Sequence, residues 1–120
     1  MSNSAFLREV SDQHGVSARR LAAALRTAKS ELAIAAGLSP NALTKAARIG
    51  SVATQTRLHE MCRIIDRIIP WAGSAPTAFA WYRSQSLPSF GDATPEELVH
   101  QGRSNKVHAY LDRLKDGGYA

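Results

Sequence analysis

Five polar side chains gather in one short stretch of the chain: Ser39, Asn41, Thr44, Lys45 and Arg48. An amide and a hydroxyl can bond base edges, and ammonium and guanidinium groups bond phosphates or guanine, so this set, turned outward from one helix, suits duplex DNA. Ser39, at the start of the stretch, is a further phosphate ligand. Residues suited to catalysis are scattered by comparison. His14, His59, His100 and His108 form no short-spaced metal-ligand pair, and the single cysteine cannot supply a thiolate cluster. Cys62 falls on the apolar face of a helical repeat, where an inert buried thiol is expected. Glu96 and Glu97 follow Thr94-Pro95 and oppose a helix dipole in a first turn, which explains them without acid or base work. No nucleophile elbow or phosphate-cradling loop is present. The sequence therefore predicts a binding protein, not an enzyme, with no cofactor and no metal.

The elements that would position the polar set are helices. Strand signals are almost absent, while Ala, Leu, Arg and Glu dominate, so the expected fold is all-α. Phe6, Leu7 and Val10 predict a short amphipathic helix ending near Gly15, and Ser17 caps a second with Leu21, Ala24 and Leu25 on one face. A third covers residues 30–36, with Gly37 as its left-handed stop. Ser39-Pro40 has the form of a cap and a first helical position, which restarts the helix carrying the polar set. Residues 30–48 then read as a helix-turn-helix, with Ala33 small where the helices cross, Gly37 at the reversal and Leu43 inward. An ordinary helical hairpin with a polar outer face satisfies the same pattern.

Leu58, Met61, Cys62, Ile65, Ile68 and Ile69 recur at three- and four-residue steps and predict a central helix over residues 54–69, closed by Pro70. Residues 72–76 are small and divide the chain into 1–72 and 73–120. Charge changes at the same place. Residues 1–70 carry ten Lys and Arg against five Asp and Glu, whereas the remainder is balanced, so the whole excess of +5 lies in the first part. A polyanion would meet that side; a solvated basic face is the alternative. Beyond the linker, Pro76 starts a helix with Phe79, Trp81 and Tyr82. Thr94-Pro95-Glu96-Glu97 forms a capping box, Gly102 ends that helix, and residues 104–115 form the last, with Val107, Leu111 and Leu114 on one face before Gly117-Gly118. No leader and no membrane span are read, and the single cysteine suits a reducing compartment, so a soluble cytoplasmic chain is expected.

The run Phe79-Ala-Trp-Tyr-Arg-Ser-Gln-Ser-Leu-Pro-Ser-Phe-Gly-Asp-Ala-Thr-Pro-Glu-Glu-Leu-Val99, followed by Gly102, Val107, Leu111 and the ending Lys115-Asp-Gly-Gly-Tyr-Ala120, resembles the toxin-binding domain of the Xre/MbcA/ParS antitoxins. Residues 30–69 resemble, less specifically, the Xre-like N-terminal region of that family. The resemblance implies an N-terminal helix-turn-helix bundle followed by a small helical toxin-binding domain. It further implies pairing with a RES-domain toxin that destroys NAD, inhibition by occluding its active site, and repression of the shared operon through operator DNA. The toxin-facing residues it implies are Leu111, Leu114, Lys115, Gly117, Gly118, Tyr119 and Ala120, although Leu111 and Leu114 fit an inner role equally well and Tyr119 can fold back on the chain. Trp81 and Phe90 are expected in the core. A homodimer, or a place in a hetero-oligomeric toxin-antitoxin complex, goes with this reading. The rival is a stand-alone helix-turn-helix repressor whose C-terminal helices dimerise; in a third reading the helix-turn-helix is scaffold and binds no DNA.

Overall fold

The computed structural model describes residues 4–117. Its helices are α1 (Ala5–Val10), α2 (Ala18–Leu25), α3 (Lys29–Ala35), α4 (Ala46–Ile49), α5 (Val52–Ala72), α6 (Ala75–Ser84), α7 (Pro95–His100) and α8 (Ser104–Lys115), with a 3-10 turn at Pro88–Phe90. The chain is mostly helical, as its composition predicts. One exception is a small antiparallel hairpin, β1 (Ser11–Asp12) and β2 (Gly15–Val16), in which Ser11 faces Val16 and Asp12 faces Gly15. Helix α1 therefore stops at Val10 and does not run on toward Gly15. The polar run Ser11 to His14 prefers turn geometry: Asp12 Oδ1 accepts the His14 N–H at 2.8 Å, and Gly15 takes a φ of +114°.

Local signals set most helix starts. The hydroxyls of Ser4, Ser17, Ser51 and Ser74 each accept an N–H from the first turn of α1, α2, α5 and α6. Helix α5 begins two residues before the expected start at residue 54 and ends three residues later than Ile69, passing through Pro70. Pro70 removes only its own donor to the Asp66 carbonyl; the N–H groups after it still point back along the helix, and Gly73, at φ +95°, makes the stop.

Helix α5 is the axis of the molecule. Its buried Leu58, Met61, Ile64, Ile65 and Ile68 meet Val10 of α1, Leu21 and Leu25 of α2, Leu32 of α3, Tyr82 of α6, Leu98 and Val99 of α7, and Val107 and Leu111 of α8 in one buried cluster. Residues from both sides of the 72–76 linker share that cluster. Trp81 and Phe90 pack against it but stay partly exposed. Cys62 is fully buried, and burial pushes its thiol up to about 12, so at neutral pH it is protonated and inert.

Candidate functional site

The polar set lies between the end of α3 and the start of α5, but not on one helix. Gly37 adopts φ +81° as expected, with its N–H on the Ile34 carbonyl and the Leu38 N–H on the Ala33 carbonyl. The helix predicted to restart at Pro40 is absent. Residues 40–43 form turns and residues 44–45 bend the chain instead, and helix resumes only for the four residues of α4. Ser39 does not cap: its hydroxyl bonds Asn41 Oδ1 at 3.3 Å, while the Asn41 carbonyl accepts the Thr44 hydroxyl at 2.8 Å. These bonds offer the backbone a local alternative to helix, which Ser, Asn and Thr favour. Ala42 and Leu43 are buried and pin the turns to the core, whereas no residue of α4 is buried.

Ser39, Asn41, Thr44, Lys45 and Arg48 are all exposed. They form a polar loop and a short helix, in place of one continuous recognition face. Beside them is a hollow of about 500 Å³ into which Ala46 and Ile49 face, and whose other wall carries His14, Arg19 and Lys29, with Asp12 the one acid. In the sequence Arg19 and Lys29 belong only to the basic excess of residues 1–70, because nothing in their spacing relates the start of α2 or α3 to α4.

One amide fixes the floor of this hollow. Gln55 Oε1 accepts the Val16 N–H at 2.9 Å, and its Nε2 donates to the Val16 carbonyl at 3.0 Å and to the Ile49 carbonyl at 3.1 Å. Gln55 thereby ties β2, the end of α4 and the first turns of α5 together. The fit requires glycine at position 15, since a Cβ there would stand 2.5 Å from Gln55 Oε1.

A second constellation joins the C-terminal helices to α3. Arg83 of α6 bonds Glu96 of α7 through Nε at 2.9 Å and Glu31 of α3 through Nη1 at 2.8 Å, while its guanidinium lies 5.6 Å from the Phe79 ring centroid. Glu96, read from sequence as a helix-dipole residue alone, is therefore also one end of an ion-pair network and is nearly buried. The Tyr82 hydroxyl donates to the Ala35 carbonyl at 2.8 Å, and burial raises its phenol well above the ordinary range. His100 Nε2 approaches the same carbonyl at 3.3 Å. These contacts are structural: charge and donors are consumed internally, and among the described residues no group of three or more His, Cys, Asp or Glu is arranged to hold a metal ion.

Of the residues expected to face a toxin, Leu111 is fully buried and belongs to the core, so of its two open roles it takes the inner one. Leu114 is half-buried against the same cluster, and Lys115 and Gly117 are exposed. Gly118, Tyr119 and Ala120 lie outside the described residues. Among the described residues no helix is long and apolar enough to cross a membrane. Comparison with protein-family models, with curated proteins and with solved structures gave no match to this chain.

Proposed function

We propose that this chain is a non-enzymatic binding protein, the cytoplasmic antitoxin of a type II toxin-antitoxin pair, which neutralises a RES-domain toxin through its C-terminal end. The observation that carries the reading is the residue pattern from Phe79 to Ala120, whose Thr94-Pro95-Glu96-Glu97 box caps α7 and whose Gly117 follows α8. In this reading α6 to α8 present Leu114, Lys115 and the 117–120 tail to the toxin, and Leu111 supports them from within. The test is to express the toxin candidate encoded beside this chain with and without it, following growth and cellular NAD. Arrest and NAD loss relieved by co-expression, with co-purification of the two proteins, are expected; a harmless neighbour that forms no complex overturns the reading. Removing residues 117–120 should abolish protection while leaving the helical signal unchanged.

Operator binding is the second part of the proposal, through a helix-turn-helix formed by α3, the turns and α4. The exposed Lys45 and Arg48, beside a hollow that also holds Arg19 and Lys29, favour it. The same observation supports the rival, a stand-alone repressor, which predicts promoter binding without any toxic neighbour. Replacing Asn41, Lys45 and Arg48 together by Ala should remove affinity for the chain's own promoter DNA. Unchanged affinity would leave α3 and α4 as scaffold.

A further inference from the structure

A second open groove lies on the α8 side of α5 and shares Gly50 and Gln55 with the first hollow. It has a volume of about 800 Å³ and runs between the first three turns of α5 and α8 from Ser104 to Asp112. Its α5 wall extends from Val52 to Arg63, roughly 16 Å at the helical rise per residue. Val52 is 83% exposed, the most exposed large apolar side chain among the described residues, and Ala109 offers a small apolar surface on the facing wall.

The charges of the groove are not balanced. Of its two carboxylates, Asp112 is held by Arg67 at 2.7 Å and Glu60 is approached by Arg57 at 3.9 Å. Arg63 has no ion-pair or hydrogen-bond partner among the described residues, and the His59 ring is likewise free. His108 adds a donor of fixed identity. Arg67 Nη1, which can only donate, lies 3.1 Å from His108 Nδ1, so Nδ1 accepts and the ring proton sits on Nε2. Neighbouring Asn105 supplies an amide. The groove therefore combines apolar contacts at Val52 and Ala109 with an uncompensated cation and free donors.

We propose that this groove docks an acidic amphipathic helix from a protein partner, its apolar face against Val52 and Ala109 and its carboxylates toward Arg63, His59 and the His108 Nε2–H. Two flanking helices and a length of about three turns fit a helix laid into a groove, and the length exceeds what a compact small molecule needs. Val52 and Ala109 give an amphipathic helix an apolar contact that a phosphate backbone does not use. This docking site does not require the antitoxin reading, whose toxin-facing residues begin at Leu114, just beyond the groove's last lining residue, Asp112.

The test uses the full chain and two synthetic helical peptides that share one leucine face and carry either glutamate or lysine on the other. Fluorescence anisotropy should show the glutamate peptide binding about tenfold or more tightly than the lysine peptide, with binding that weakens as salt is added. Amide shifts in a titration should concentrate in residues 52–63 and 104–112. Arg63→Glu should reverse the preference between peptides, and Ala109→Gln, which narrows the groove from an exposed helical position without adding charge, should weaken binding about tenfold with the helical signal intact. Equal binding of both peptides, shifts centred on other residues, binding unaffected by Ala109→Gln, or no binding at millimolar peptide would each overturn the proposal.

Discussion

Ser39-Pro40-Asn41-Ala42 and Thr94-Pro95-Glu96-Glu97 begin alike, with a hydroxyl residue before a proline, yet one becomes a series of turns and the other becomes α7. The difference lies in the residues after the proline. In the second, Glu97 Oε1 accepts the Thr94 N–H at 2.9 Å while the Thr94 hydroxyl accepts the Glu97 N–H at 3.1 Å, so both ends of the cap are satisfied. Leu98 and Val99 then enter the core immediately. In the first, the third position is Ala42, which has nothing to return, and Asn41 draws the Ser39 hydroxyl to its own side chain. Leu43 is buried, but the next residues are polar and exposed, so no second apolar turn holds a helix down. A cap and a proline permit a helix; reciprocal bonding and a continuing apolar face make one.

The largest expected effects ask whether the two segments share one core. Leu98→Ala and Leu43→Ala each empty a fully buried site and should cost about 2–5 kcal/mol in denaturant unfolding. A much smaller cost for Leu43→Ala alone would mean that residues 39–49 detach before the rest unfolds. Next comes Gly15→Ala, which forces a side chain into φ +114° and against Gln55; a loss of more than about 1 kcal/mol is expected, with faster amide exchange in α4 than in α7. The most direct test of the caps is Thr94→Ala against Ser39→Ala. The first should cost about 1 kcal/mol and the second less than about 0.5 kcal/mol, because only the first removes a cap. Similar costs would show that Ser39 stabilises its turns as much as Thr94 stabilises a helix.

The smallest effect separates the C-terminal region by pH. Burial, then Arg67 and Arg63, hold the His108 imidazole below its ordinary value of 6.5, although Asp112 opposes them. The unfolded chain thus binds a proton more readily, so this contribution to stability is complete above pH 6.5 and declines as the pH falls below it. The drop in Tm between pH 7 and pH 5 should be smaller in His108→Gln than in the parent chain.

Features whose causes are close together in the chain were legible beforehand. The Ser17 cap, the Gly37 reversal, the Thr94 box and the full extent of α8 arise from residues within one or two turns of each other. The apolar repeat of α5 likewise located the central helix, because a period near 3.6 names its own buried face. The hairpin at Ser11–Val16 was not legible: its strands are two residues each, too short to show alternation, and part of their support comes from Gln55, 39 residues beyond Val16 along the chain. The candidate sites divide in the same way. The identity of the polar residues from Ser39 to Arg48 could be read directly, but their arrangement could not, because helix and turn there differ by little locally.

Sequence alone determined that this chain would be helical, where most of its helices would start, and that its positive charge would lie in the first part. Tertiary structure decided which charges are spent and which remain free. Arg83 and Arg67 are consumed by Glu31, Glu96 and Asp112, while Arg63 is left facing an open groove and Arg19 and Lys29 are brought beside α4. The reason is one of range: caps and turns act over a few residues, whereas an ion pair needs two side chains that packing of the core brings within about 4 Å, at separations along the chain that no local pattern records.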